Sequence, residues 1–196
     1  MNYTRSLLTA AVLAALPLGA FAQNTASQVH RNVNQQQRIE QGLQSGSLNT
    51  REAAKLEHEE ANVNRMQARA LKDGKLSDAE KARIDRAQNK VSRDIHREKH
   101  DGQTGNPNSA SSQRMQADVQ RNINQQKRIE KGVKSGTLTN HEVAKLERGQ
   151  SHVERREARA GADGNVGRRE EQRIQSAENR QSNRIYREKH DAQVRK

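Results

Sequence analysis

The chain has 196 residues, with 36 Lys and Arg against 24 Asp and Glu, a formal net charge of +12 and no Cys. This excludes disulfides and thiolate metal sites and directs the chain toward polyanions. Leu, Ile, Val and Phe make up less than roughly 20% of it beyond the N-terminal segment, which excludes a large dry core; a thin core completed by a partner, an ion or self-association is expected.

Residues 1–22 read as an export signal. Arg5 supplies the positive start, "LLTAAVLAALPLGA" the short apolar run, and Ala20-Phe21-Ala22 the small-x-small cleavage site before Gln23. The run is short for a membrane span, and no other apolar stretch is long enough for one. The expected location is the periplasm or the medium. Tyr186 is then the one aromatic residue of the exported chain.

A first unit follows at 23–101. Val29, Val33, Ile39 and Leu43 form a stripe that predicts a helix over about 27–44. Leu56, Val63 and Ala70 predict a second over about 50–72, and Ile84, Ala87, Val91 and Ile95 a third over about 78–100. Residues 102–112, "GQTGNPNSASS", read as a flexible linker. The second unit, 113–196, repeats the first at an offset of 90 residues: "RNVNQQQRIEQG" returns as "RNINQQKRIEKG", and "IHREKHD" as "IYREKHD". Gln181 replaces Val91, which thins the second core further. The predicted fold is all-α, two tandem three-helix units.

The helix boundaries have local causes. Gly46, Gly74, Gly136 and Gly164 sit where a left-handed residue ends a helix. Asn49, Ser77 and Thr139 are placed to cap the next helix, with Glu52, Glu80 and Glu142 three residues on in capping-box register. Gly167 with Glu170 is a weakened fourth instance.

These junctions resemble EF-hand loops. Asp73, Gly74, Leu76 and Glu80 match loop positions 5, 6, 8 and 12, as do Asp163, Gly164, Val166 and Glu170. "SGSLNTRE" and "SGTLTNHE" match the same half of the loop. The resemblance implies a divalent metal held in part by Asp73, Glu80, Asp163 and Glu170. The front half departs from the pattern: Arg69, Arg159, Gln41 and Lys131 stand at position 1, where an acid is required. Gly46 and Gly74 are also 28 residues apart, which places the two loops of a unit at opposite ends of one helix. The stretches therefore read as helix junctions with an EF-hand-like outline.

Two further features carry chemistry. His96 and His100 stand four apart on a predicted helix, a spacing used for copper, nickel or zinc, with Asp101 as an added oxygen ligand; the second copy has Tyr186 in place of His96. Arg173, Arg180, Arg184 and Arg187 recur at helical spacing and form a stripe suited to an anionic surface. Without neighbouring aromatics the stripe is a poor nucleic-acid platform. "KLEHEE" and "KLERGQ" read as charged helix faces with salt-bridge partners. No nucleophile motif or phosphate loop is present, so no enzymatic activity and no required cofactor are expected.

The leading expectation is an exported, non-enzymatic helical protein that meets anionic envelope components or acidic proteins. A metal-binding or metal-responsive protein is the first alternative. A small basic periplasmic stress chaperone is the second, through a loose likeness of "LTNHE" to the "LTxxQ" motif of such chaperones.

Overall fold

The computed structural model describes residues 18–191, with side chains from residue 24 onward. Most of the expected signal segment lies outside the described residues. Within them the protein is all-α: α1 Leu18–Ser45, α2 Thr50–Ala70, α3 Asp78–Glu98, α4 Ala110–Lys134, α5 Asn140–Ala160 and α6 Arg168–Lys189. A short 3-10 turn, Leu71–Asp73, follows α2.

Capping decides where the helices begin. The side chains of Asn49, Ser77 and Thr139 accept from the backbone N–H groups of Glu52, Glu80 and Glu142. Each Glu answers by accepting from the N–H of its capping residue. Two orphan donors per helix are satisfied this way, and loss of such a cap costs about 1 kcal/mol. At Gly167 only the reverse bond forms, from its N–H to Glu170 Oε2 at 2.9 Å.

The stripe residues are buried as expected, Gln181 among them, except Ala87, which is partly buried. The core they enter is shared. α2 packs lengthwise on α5, and α1 on α4, so the broadest helix contacts join the two halves of the chain. α3 lies against α1 and α2, and α6 against α4 and α5. One apolar cluster runs through both halves, with Leu56, Ile84 and Ile95 in the same body as Met115, Ile129 and Leu146. Full burial of such side chains stabilises by about 1.5–3 kcal/mol each.

The segment expected to be a flexible linker is instead a fastening. Gly105 N–H donates to Gly46 O at 2.8 Å. A Cβ on Gly105 would lie 2.5 Å from Leu48 O, so glycine permits this close approach to the α1–α2 turn. Ser109 caps α4, which starts inside that segment at Ala110. Ser111 Oγ accepts from Val166 N–H at 2.8 Å and donates to Gly164 O at 3.2 Å. Gly, Ser and Asn serve here as hydrogen-bonding contact residues, the use that composition alone does not separate from slack.

Gly42 and Gly132 lie inside helices, where Ala is ordinarily better by about 0.8–1 kcal/mol. Leu48 and Leu138 fold over them, and a Cβ would meet the Leu side chain at 2.5 Å in each case. Gly132→Ala is therefore expected to destabilise, by about 1–3 kcal/mol through overpacking, against its helix propensity. A lower urea midpoint bears this out; a higher one refutes the packing.

Candidate functional site

The acids of the two Asp-Gly junctions are occupied locally. Asp73 Oδ1 accepts from Lys75 N–H at 2.9 Å, and Asp163 Oδ1 from Asn165 N–H at 2.8 Å. Glu80 Oε2 takes the N–H and hydroxyl of Ser77, while Glu170 Oε2 takes Gly167 N–H. Gly74 and Gly164 have φ of 84° and 90°, the left-handed state that reverses the chain. Among the described residues, none of these four acids belongs to a group of three or more ligating side chains.

His96 and His100 stack, with ring centroids 4.2 Å apart and planes 17° from parallel. His100 Nδ1 bonds to the carbonyl of His96 at 2.7 Å. Tyr186 and His190 stack in the same way at 4.2 Å, and His190 Nδ1 bonds to Tyr186 O. The pair is thus a ring stack that tolerates either aromatic, and among the described residues neither His belongs to a group of three or more ligating side chains. Asp101 stands elsewhere, with Glu52 and Glu98, and Asp191 matches it with Glu142 and Glu188.

The seam between the halves holds what the sequence reading missed. Glu57 and Glu60 of α2, Glu147, Glu154 and Glu157 of α5 and Glu178 of α6 are all fully buried, and Asp118 of α4 nearly so. In "KLEHEE" and "KLERGQ" Lys55, Glu59 and Lys145 make the expected salt bridges, but Glu57, Glu60 and Glu147 turn inward, where α5 packs on α2. Amides meet the carboxyls. Gln36 Nε2 donates to Glu57 at 3.0 Å, Gln126 Nε2 to Glu147 at 3.1 Å and Asn122 Nδ2 to Glu157 at 2.7 Å. Asn64 Nδ2 donates to both oxygens of Glu154, at 2.6 and 2.8 Å.

In the first three pairs the leftover atoms have one form. The amide oxygen of Gln36, Gln126 or Asn122 lacks a donor, and so does the second oxygen of its carboxyl partner. Protonation of the carboxyls would supply donors that these unpartnered oxygens lack. Burial points the same way. It raises Glu57 to about 7 against the opposing bonds from Gln36 and Glu157, and Glu147 to about 7 against the bond from Gln126. Burial, then the charges of Glu178 and Glu171, lifts Asp118 to about 8. Glu178 rises to about 7 through burial, tempered by Arg121. Glu60, Glu154 and Glu157 stand well above the usual carboxylate range, through burial first and the charge of neighbouring acids, Glu57 foremost, second. The seam is a layer of amides and carboxyls in which burial favours the protonated acid, with Arg121 Nη1 3.2 Å from Glu178 as a counter-charge at its edge.

The surface carries the opposite charge, and unequally. On the first half Lys90 bridges Glu59 at 3.1 Å and Asp94 at 2.6 Å, and Arg97 bridges Asp94 at 2.7 Å. Burial pushes Asp94 up, but the bonds from Lys90 and Glu59 and the charges of Lys90 and Arg97 outweigh it and hold the carboxyl at about 2. The matching positions on the second half are Gly149, Arg180, Arg184 and Arg187, so both acids are gone. Arg173, Arg180, Arg184 and Arg187 are exposed. Arg180, Arg184 and Arg187 line a shallow hollow with Asn183 and Tyr186, the latter 57% exposed. Partial burial and the charges of Arg155, Arg148, Arg156 and Arg184 hold His152 below its ordinary value, so the cationic field extends across α5.

The seam fixes the sign of the pH dependence. Its carboxyls bind protons more tightly folded than unfolded, so their contribution is full below their ordinary values near 4 and is lost as pH rises through about 7 to 8. Asp94 acts oppositely: its contribution is present above 3.8 and is lost as pH falls toward 2. The melting temperature followed by circular dichroism is expected to peak at mildly acidic pH and to fall toward about pH 8. Glu60→Gln, which installs the residue found at the matching position Gln150, should stabilise by about 1–3 kcal/mol at about pH 8 and much less at about pH 5. A parent protein that melts higher at alkaline than at mildly acidic pH would contradict the neutral-acid seam. No protein-family model, curated protein or solved structure matches this chain.

Proposed function

We propose that the protein is an exported, non-enzymatic helical protein that docks on anionic surfaces through the α5–α6 face. Its two halves are repeated three-helix units whose Asp-Gly junctions turn one helix into the next, with Asp73, Glu80, Asp163 and Glu170 engaged in their own turns. The observation that carries this reading is the loss of both acids, Glu59 and Asp94 in the first half, from the matching face of the second, where Gly149 and Arg184 stand. A solvated face kept only for solubility has no need to discard its counter-charges. Discarding them leaves a row of arginines, and guanidinium groups pair in bidentate fashion with phosphate and carboxylate. The exposed Tyr186 ring beside Arg187 adds an amphipathic contact of the kind found at interfaces.

The single-residue change that restores the first half's pattern tests this. Arg184→Asp would bridge Arg180 and Arg187 as Asp94 bridges Lys90 and Arg97. Sedimentation with vesicles of phosphatidylglycerol in phosphatidylcholine is expected to show binding that weakens with salt. Arg184→Asp should reduce it about tenfold or more, since each basic residue near such a surface contributes about 1 kcal/mol and this change reverses one charge and masks two. Binding that is unchanged by Arg184→Asp, or insensitive to salt, would sink the proposal.

A further inference from the structure

At the end of the molecule where α2 begins and α3 ends, Glu52, Glu98 and Asp101 each offer a carboxylate oxygen, all within 4.8 Å of one another. Glu142, Glu188 and Asp191 do the same where α5 begins and α6 ends. The groups stand at matching positions, so the same three acids occur in each half. They survive where much else has changed: His96 has become Tyr186, Glu59 Gly149 and Asp94 Arg184.

A second observation points into each group. Glu52 is 5% exposed and Glu142 fully buried. One oxygen of each belongs to the capping box: Glu52 Oε2 accepts from Asn49 N–H at 2.9 Å, and Glu142 Oε2 from the N–H and hydroxyl of Thr139. The other oxygen, Oε1 in both, is buried without any hydrogen-bond partner. Such an oxygen loses its hydration without compensation, and here, unlike the amide-paired carboxyls of the seam, it belongs to an acid that two further carboxylates approach.

We propose that each group is a binding site for a hard divalent cation of calcium's size, in which the dry capping-box oxygen joins the carboxylates of Glu98 and Asp101, or of Glu188 and Asp191. The donors are all oxygen, which favours calcium or magnesium over copper, nickel or zinc. Oxygens on opposite sides of a calcium ion, at 2.3–2.6 Å from it, lie up to about 5 Å apart, against about 4 Å for magnesium. All three oxygens of each group lie within the span that a calcium ion bridges. Lys55 Nζ lies 2.9 Å from Glu98 and Lys145 Nζ 3.5 Å from Glu188. Both lysines are about half exposed, so their ammonium groups can swing into water as a divalent ion enters. Lysine is then a competitor that keeps affinity modest, and waters supply the remaining ligands. Glu52 and Glu142 close the "SGSLNTRE" and "SGTLTNHE" junctions, so each site draws one acid from an EF-hand-like turn and two from the end of another helix. Asp101 Oδ1 also accepts from Gln103 N–H at 2.9 Å, which leaves its other oxygen to an ion. The site does not include Asp73, Glu80, Asp163 or Glu170, nor the exposed arginines of α6.

Equilibrium dialysis of the chelator-treated full chain against calcium chloride is expected to show two ions bound. Asp101→Asn should leave one, and Asp101→Asn with Asp191→Asn none. Glu52→Gln with Glu142→Gln keeps a side chain compatible with a capping box and should also abolish uptake, which provides a second route if the first pair fails to fold. Lys55→Gln with Lys145→Gln should tighten binding several-fold, a gain that a merely structural ion pair would not give. The proposal is overturned if the parent chain takes up no calcium at millimolar concentration, if the double Asp variant still binds two ions, or if uptake is lost with Asp73→Asn and Asp163→Asn instead.

Discussion

The structure depends on one constraint: α2 and α5 bury each other along a seam lined by carboxyl groups. Seven acids in such a place cannot stay ionised together, because burial and mutual repulsion act in the same direction. Neutral, they behave as compact hydrogen-bonding groups that fill the volume a chain poor in large apolar residues would otherwise leave empty. The amides of Gln36, Asn64, Asn122 and Gln126 complete the layer. Holding Glu57 ionised in its seat would cost roughly 3 kcal/mol, from the gap between 4.5 and about 7. The seam is thus firm in mild acid and strained in alkali, and every element packed on it inherits that behaviour.

The rest of the architecture follows from covering the seam. α1 and α4 close one side, and α3 and α6 the flanks. The connection through Gly105 ties the first half's α1–α2 turn to the start of α4, and Ser111 ties α4 to the turn before α6. Thr25 and Asn140 add another link between the halves. These bonds are local in space and distant in sequence, as expected when two similar units share a core instead of each making its own.

Legibility in the sequence divides along that line. Helix starts at Thr50, Asp78 and Asn140 were readable because a capping box is written in four consecutive residues, and the apolar stripes because they follow the helical period. Glu57 and Glu147 were not readable as buried. Their own helix shows them beside Leu56 and Leu146 in a highly charged run, and only the second half of the chain covers them. The same limit applied to the candidate residues. Spacing put His96 and His100 on one face, but whether two rings stack or converge depends on rotamers. Asp101 was picked out, yet its companions Glu52 and Glu98 come from the start of one helix and the end of another. Their meeting is a property of the fold. A signal was present all the same: "REKHD" recurs intact, and Glu52 recurs as Glu142, while the residues around them drift.

The two halves thus diverged at different rates in different layers, and the pattern separates roles. The pairs Gln36–Glu57 and Gln126–Glu147 are identical because each seat in the seam is bounded by the other half. The other seam positions exchange acid for amide, Glu60 for Gln150 and Gln88 for Glu178, swaps a neutral layer tolerates because protonated carboxyl and amide are nearly isosteric. The outer face of α6 obeys no such limit. There Arg184 stands where α3 has Asp94, a reversal of charge that is tolerated because Asp94 lies beneath the exposed Lys90 and Arg97 at the rim and not in the seam. A symmetric interior with unequal exteriors gives one rigid body two faces. The first neutralises itself with internal salt bridges, and the second leaves its arginines to whatever anion approaches.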